Sequence, residues 1–232
     1  MCPLRIVFAL YPQVTQLDFT GPFEVLKRVP QAQLTLASRA GGDLTADCGI
    51  TFSGLARLAD IDALDVICVP GGSGVTAALR DAEYLAQVRR LGRAAGYVTS
   101  VCSGSLILAA AGLLEGKRAA CHWAWRALLA EQGVTVDESR VVRDGNVITG
   151  GGVTAGIDFA LSLAAEIAGP DVAQEIQLAI EYDPKPVFDG GSPDRASAQV
   201  LARVQEQVRK NYSERRQALR DARQLASSRE LE

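Results

Sequence analysis

The chain has 232 residues, with 24 Lys and Arg against 27 Asp and Glu, a net charge of −3 and 48% hydrophobic residues. That length holds one large α/β domain with a substantial core. The charge implies no general attraction to nucleic acid or to an anionic membrane, and no apolar run reaches the roughly 18 residues that a membrane span needs. Five cysteines (Cys2, Cys48, Cys68, Cys102, Cys121) are odd in number and scattered, without CxxC or Cys/His ligand spacing. This points to a reducing compartment, taken as the cytoplasm, and away from structural zinc. The first residues, one Arg and a brief apolar stretch cut by Pro12, are not expected to form a signal peptide.

The run Arg5-Ile6-Val7-Phe8-Ala9-Leu10 reads as a buried strand ended by Pro12. Pro22 suits the first turn of a helix capped near Thr20 or Gly21. Asp18 then falls in the loop before that helix, where capping or turn-making is the ordinary role of such a residue. Residues 33–38 alternate as a strand, and a weak extended stretch covers residues 45–52. Residues 65–69 form a continuous apolar strand, suited to a parallel sheet covered on both faces. It runs into Pro70-Gly71-Gly72-Ser73-Gly74, whose glycines let the backbone approach whatever lies above it. A plain strand-to-helix turn fits equally, and the Lys-Ser/Thr pair of a phosphate loop is absent. Residues 81–95 read as a charged amphipathic helix with Tyr84, Leu85, Val88 and Leu91 facing inward.

Next comes Tyr97-Val98-Thr99-Ser100-Val101-Cys102-Ser103-Gly104-Ser105, a buried strand that ends on a cysteine and turns directly into a helix. A thiol there feels the positive end of the helix dipole, which favours thiolate, as in a nucleophile elbow. A small buried hydrophobe at a strand end is the other reading of Cys102. Further on, residues 118–121 are a short strand, followed by His122, the sole histidine. A helix over residues 123–132 stops at Gly133. Strands at 134–136 and 140–143 lead through the hairpin turn Asp144-Gly145-Asn146 into Val147-Ile148-Thr149. Gly150-Gly151-Gly152 then opens a long apolar helix over residues 153–168. Pro170 starts another helix, which Pro184 and Pro186 end.

Strands alternating with helices predict an α/β fold with a doubly wound, mostly parallel, flavodoxin-like sheet and helices on both faces. In such sheets ligands bind beyond the carboxyl ends of the strands. Cys102, Gly71-Gly72 and the loop holding Asp18 fall at such ends, with Gly150-Gly151-Gly152 a candidate to join them. Residues 1–191 are expected to form this domain. Residues 192–232, rich in Arg, Gln, Glu and Ala, read as one or two exposed helices with a Val200/Val204/Val208 stripe. Such a segment packs on its own domain or serves as a dimer arm.

Leu17-Asp18-Phe19-Thr20-Gly21-Pro22, Pro70-Gly71-Gly72-Ser73-Gly74, the Cys102 elbow and Gly150-Gly151-Gly152-Val153-Thr154-Ala155-Gly156-Ile157-Asp158 together resemble the ThiJ/PfpI group of the class I glutamine amidotransferase-like superfamily. Within it the chain is most similar to the bacterial isocyanide hydratases, from about Arg5 into the tail, including Gly191-Ser192-Pro193-Asp194. The elbow is shared across the superfamily and carries the fold. Its combination with the Asp18 motif is more specific, although that combination also occurs in the ligand domains of some AraC-type regulators. The resemblance implies that Cys102 is the nucleophile and Asp18 its acidic partner. Ser103 stands where the hydratases usually have Thr. Amides at Gly71, Gly72 and Ser103 match an oxyanion-type pocket, and Gly151 and Val153 border the site.

The implied reaction is hydration of a small isocyanide to an N-substituted formamide through a covalent thioimidate on Cys102, with no cofactor or metal, in a homodimer that binds neither nucleic acid nor membrane. Glutamine amidotransferases need a histidine well beyond the cysteine, and the protease-like branch has His directly after it; here Ser103 holds that place. His122 lies near the pocket in other branches. With no other histidine, Asp18 is the expected proton carrier. The rivals are glyoxalase- or deglycase-type chemistry on the same cysteine, a ligand-sensing domain of a regulator, and a redox-sensing thiol.

Overall fold

The computed structural model describes residues 3–229. Among them the chain folds around an eight-stranded sheet ordered β3-β4-β2-β1-β5-β6-β10-β9. The strands are β1 (Leu4–Leu10), β2 (Ala32–Ser38), β3 (Gly42–Thr45), β4 (Thr51–Arg57), β5 (Val66–Val69), β6 (Tyr97–Val101), β9 (Val141–Asp144) and β10 (Val147–Gly150). The inner strands from β4 to β10 pair in parallel, while β3 and β9 close the two edges antiparallel. β5 is buried along its whole length, as its continuous apolar run anticipates, and β6 is buried from Val98 onward, with Thr99 and Ser100 buried among its valines. A separate parallel pair joins β7 (Arg118–Ala119) to β8 (Thr135–Val136). The strand order reverses between β1 and β5, so the carboxyl ends of these two strands and of β6 form the crevice of a doubly wound sheet.

The helices are α1 (Gln16–Leu26), α2 (Val75–Arg80), α3 (Ala82–Ala94), α4 (Gly104–Ala110), α5 (Arg126–Ala130), α6 (Ala155–Ala168), α7 (Pro170–Ala179) and α8 (Ala198–Arg229). α3 matches its amphipathic pattern: Tyr84, Leu85, Val88 and Leu91 are buried, and Asp81 caps it by accepting from the Tyr84 N–H at 2.9 Å. No helix among the described residues is long and apolar enough to cross a membrane.

Several elements differ from the sequence expectation. α1 begins at Gln16, six residues before Pro22, so Asp18 sits in the first turn of a helix and not in a loop. Pro22 lacks the N–H that would bond the Asp18 carbonyl, a defect that normally weakens a helix. The ring instead packs on α6, where its Cδ lies 3.0 Å from the place a Gly156 Cβ would occupy. Tertiary packing thus overrides the local signal. Of the extended stretch expected over residues 45–52, residues 46–50 instead form the connection of the β3–β4 hairpin, and only its ends are strand. The single helix expected over residues 123–132 is a 3₁₀ turn, Trp123–Trp125, followed by the short α5.

The tail holds one helix. Arg215, Ala218, Leu219 and Ala222 of α8 are buried, whereas Val200 and Val204 are 50% and 38% exposed. The far half of α8 therefore docks on the domain, against α2 and α4. Cys2 and residues 230–232 lie outside the described residues.

Candidate active site

The turn from β6 into α4 places Cys102 at the centre of the crevice. Its φ is +60°, in the left-handed region that non-glycine residues rarely adopt. Backbone contacts on both sides hold it there. The Cys102 N–H donates to the Gly150 and Gly151 carbonyls at 3.1 and 2.7 Å, and its own carbonyl accepts from the His122 N–H at 3.2 Å. α4 can start immediately because residue 104 is glycine: a Cβ there would lie 2.0 Å from the Val69 carbonyl oxygen. The Ser103 N–H favours the charged form of the Cys102 sulfur.

Asp18 is fully buried against this turn. Its Oδ2 accepts from the Gly71 N–H at 2.8 Å, and its Oδ1 has no conventional hydrogen-bond partner. The carboxyl interacts with the Cys102 thiol, which acts as a weak donor to it. Burial pushes Asp18 up to about 7, against the opposing pull of the Gly71 N–H and the thiol. The Cys102 thiol is likewise pushed well above its ordinary value, first by burial and then by the Asp18 carboxylate, while the Ser103 N–H pulls it down. Burial thus opposes the thiolate that the helix start favours.

Gly71 and Gly72, expected as donors toward substrate, serve here to build the site. The Gly72 N–H donates to Ser103 Oγ at 3.2 Å, just as Gly71 donates to Asp18. A Cβ at Gly71 would lie 2.6 Å from both Ser103 N and Ser103 Oγ and 2.8 Å from Asp18 Oδ2. The β5–α2 loop is therefore the bracket that joins the acid to the residue after the cysteine. Gly151 bonds through its carbonyl to Cys102 and through its N–H to the Arg140 carbonyl at 2.9 Å. Val153 is half-buried in the next turn and packs on the core. His122 stands beside Gly152, with Nδ1 accepting from the Ala124 N–H at 3.2 Å. Burial, then Arg126 and Arg215, lower His122 to about 4, so its ring is neutral near pH 7.

Two neighbours carried no sequence signal. Tyr11, just past β1, donates to the Pro70 carbonyl at 2.9 Å. Arg215 comes from α8 and donates to the Gly72 and Ser73 carbonyls at 3.3 and 3.4 Å. The first lies at the end of an apolar strand and the second among many arginines, so neither stands out in the linear chain.

Residues 4–166 match the model of the DJ-1/PfpI family. The chain belongs to the DJ-1/PfpI family. It is 51% identical over 198 residues to an isonitrile hydratase of Pseudomonas putida, covering 85% of this chain and 87% of that protein. A ThiJ/PfpI family protein of Pseudomonas syringae has the same fold, with a TM-score of 0.91 and 40% identity over 94% of this chain and 91% of that one. A transcriptional regulator of Pseudomonas aeruginosa, CdhR, is 29% identical over 178 residues, covering 73% of this chain and 52% of the regulator. The family match ends before α7 and α8, so Arg215 stands outside the matched region.

Proposed function

We propose that the protein is an isocyanide hydratase in which Cys102 is the nucleophile and Asp18 moves the protons. One observation carries the reading: a buried thiol faces a buried carboxyl held near 7, in a chain half identical to an isonitrile hydratase. The Asp18 carboxylate accepts the thiol proton as sulfur attacks the terminal carbon of R–N≡C, and returns it to that carbon to give the thioimidate R–N=CH–S. Water then adds across C=N, its oxygen to carbon and a proton to nitrogen by way of Asp18. Collapse expels the Cys102 sulfur, which is reprotonated, and leaves R–NH–CHO. Isocyanide and water thus account for every atom of the formamide. The Ser103 N–H stabilises the sulfur as it gains and loses negative charge. A carboxyl held near neutrality suits both directions of proton transfer.

Glyoxalase- or deglycase-type chemistry, the rival on the same cysteine, leans on a Glu and a His. Here the acid is Asp18, and His122 Nδ1 is engaged by the Ala124 N–H. In this reading residues 1–191 are the catalytic unit and residues 192–232 an extension of it. The working protein is a cytoplasmic homodimer.

The test is formamide production from an aryl or alkyl isocyanide. Cys102→Ser abolishes turnover while leaving the fold intact. Asp18→Asn lowers turnover by roughly 100- to 10,000-fold. A wild-type protein that makes no formamide overturns the assignment, and full activity in Asp18→Asn reduces Asp18 to a structural group.

A further inference from the structure

Among the described side chains of α8, Arg215 is the charged one that is buried, at 2% exposure. Its guanidinium lies 4.0 Å over the Trp125 ring. The remaining partners are neutral acceptors: the Gly72 and Ser73 carbonyls and, at 3.3 Å, Thr76 Oγ1. Among the described residues no carboxylate lies within salt-bridge distance of it, and its neighbour Glu214 is tied to Arg80 at the surface at 2.7 Å. A buried guanidinium keeps its proton, and leaving one without a counter-ion is costly. Docking α8 does not require it, because Ala218, Leu219 and Ala222 already bury an apolar face.

The contacts lead to the reacting sulfur. Gly72 is gripped on both sides, its carbonyl by Arg215 and its N–H by Ser103 Oγ, and Ser103 directly follows Cys102. The same loop gives the Gly71 N–H to Asp18. We propose that Arg215 is a positioning residue of the Cys102 site: it clamps the β5–α2 loop that joins Asp18 to Ser103, and through that loop it sets the surroundings of the Cys102 sulfur. The inference deepens the hydratase reading and rests on Cys102 being its nucleophile.

The titratable and charged groups at the Cys102 turn and the elements packed behind it are Asp18 from α1, Tyr11 after β1, Cys121 and His122 after β7, Arg126 from α5 and Arg215 from α8. Of these, Asp18 opposes a thiolate when ionised, and Tyr11, Cys121 and His122 are neutral near pH 7. Arg215 lowers the Cys121 thiol and the His122 ring, and it reaches the Cys102 site through the loop it holds. Arg126 acts on Cys121 and His122.

The test measures alkylation of Cys102 by iodoacetamide against pH, read at that residue by mass spectrometry, in the full-length protein and in Arg215→Met, Arg215→Gln and Arg215→Lys. Circular dichroism checks the fold, and the isocyanide assay runs in parallel. Met and Gln are expected to move the alkylation midpoint to higher pH by about one unit, a roughly tenfold slower reaction below it. Lys is expected to restore most of the midpoint and part of kcat. Unchanged midpoints in folded Met or Gln variants overturn the proposal. If Met alone unfolds, Lys and Gln decide it: equal midpoints overturn it and a lower midpoint for Lys supports it. Unfolding of every variant assigns Arg215 to stability and also overturns it. Alkylation needs no turnover, so a wild-type protein inactive on isocyanides fails the hydratase reading without deciding this one.

Discussion

Asp18 and His122 are displaced from their ordinary titration in opposite directions, both first of all by burial. The folded Asp18, at about 7 against 3.8, holds a proton that the unfolded chain releases. Stability from this group is therefore lost as pH rises from about 4 to about 7. The folded His122, at about 4 against 6.5, refuses a proton that the unfolded chain binds, so its contribution grows over nearly the same range. Each slope is at most one proton, about 1.4 kcal/mol per pH unit. In the wild-type protein the two oppose each other. Asp18→Asn should become more stable between pH 4.5 and 6.5, and His122→Asn less stable, when urea midpoints are followed across that range. Identical pH profiles in wild type and Asp18→Asn would remove the buried acid from the account.

At the level of elements, the site is a junction of the connections that follow β1, β5 and β6, and the loop before α2 is packed against both the acid and the residue after the thiol. A methyl at Gly71 has no place between Ser103 and Asp18, where the contacts would be 2.6 and 2.8 Å. Two of the three atoms it meets, Ser103 N and the carboxyl oxygen bonded to the loop, are fixed by the fold, so the loop itself must move. Gly71→Ala is expected to lower kcat/KM by about 100-fold or more, the usual consequence of misplacing reacting groups by an ångström. Gly191, with nothing within 4 Å of a Cβ built there, serves as the control. Activity in Gly71→Ala equal to that of Gly191→Ala would show that the loop does not set the geometry of the acid and the thiol.

For the whole molecule, α8 has two unlike halves. The far half is part of the domain through Arg215, Leu219 and Ala222, so truncation before α8 removes site and core together. The near half carries Val200 and Val204 half-exposed, with Phe188 and Leu178 each 83% exposed nearby in the chain. Covering these residues with a second copy is the simplest use for them. Val200→Glu with Val204→Glu should convert a dimer into a folded monomer of 24.6 kDa by light scattering, with its melting temperature little changed. A wild-type protein that already has the monomer mass at micromolar concentration removes the dimer.

Sequence alone determined the parallel sheet, because buried runs such as Val66–Val69 and the strand leading to Cys102 are continuous in the chain and their periodicity needs no partner to be read. It also determined the family, through motifs each confined to a few consecutive residues. Tertiary structure decided what depends on approach between distant segments. Asp18 lies in a helix because Pro22 finds Gly156 on α6. The thiol is pushed up by burial and by Asp18, which approaches it from a different helix. The Gly72 amide is engaged because Ser103, 31 residues later, reaches it. Arg215 joins the site across 143 residues, a distance over which no local pattern of charge or apolar spacing carries information.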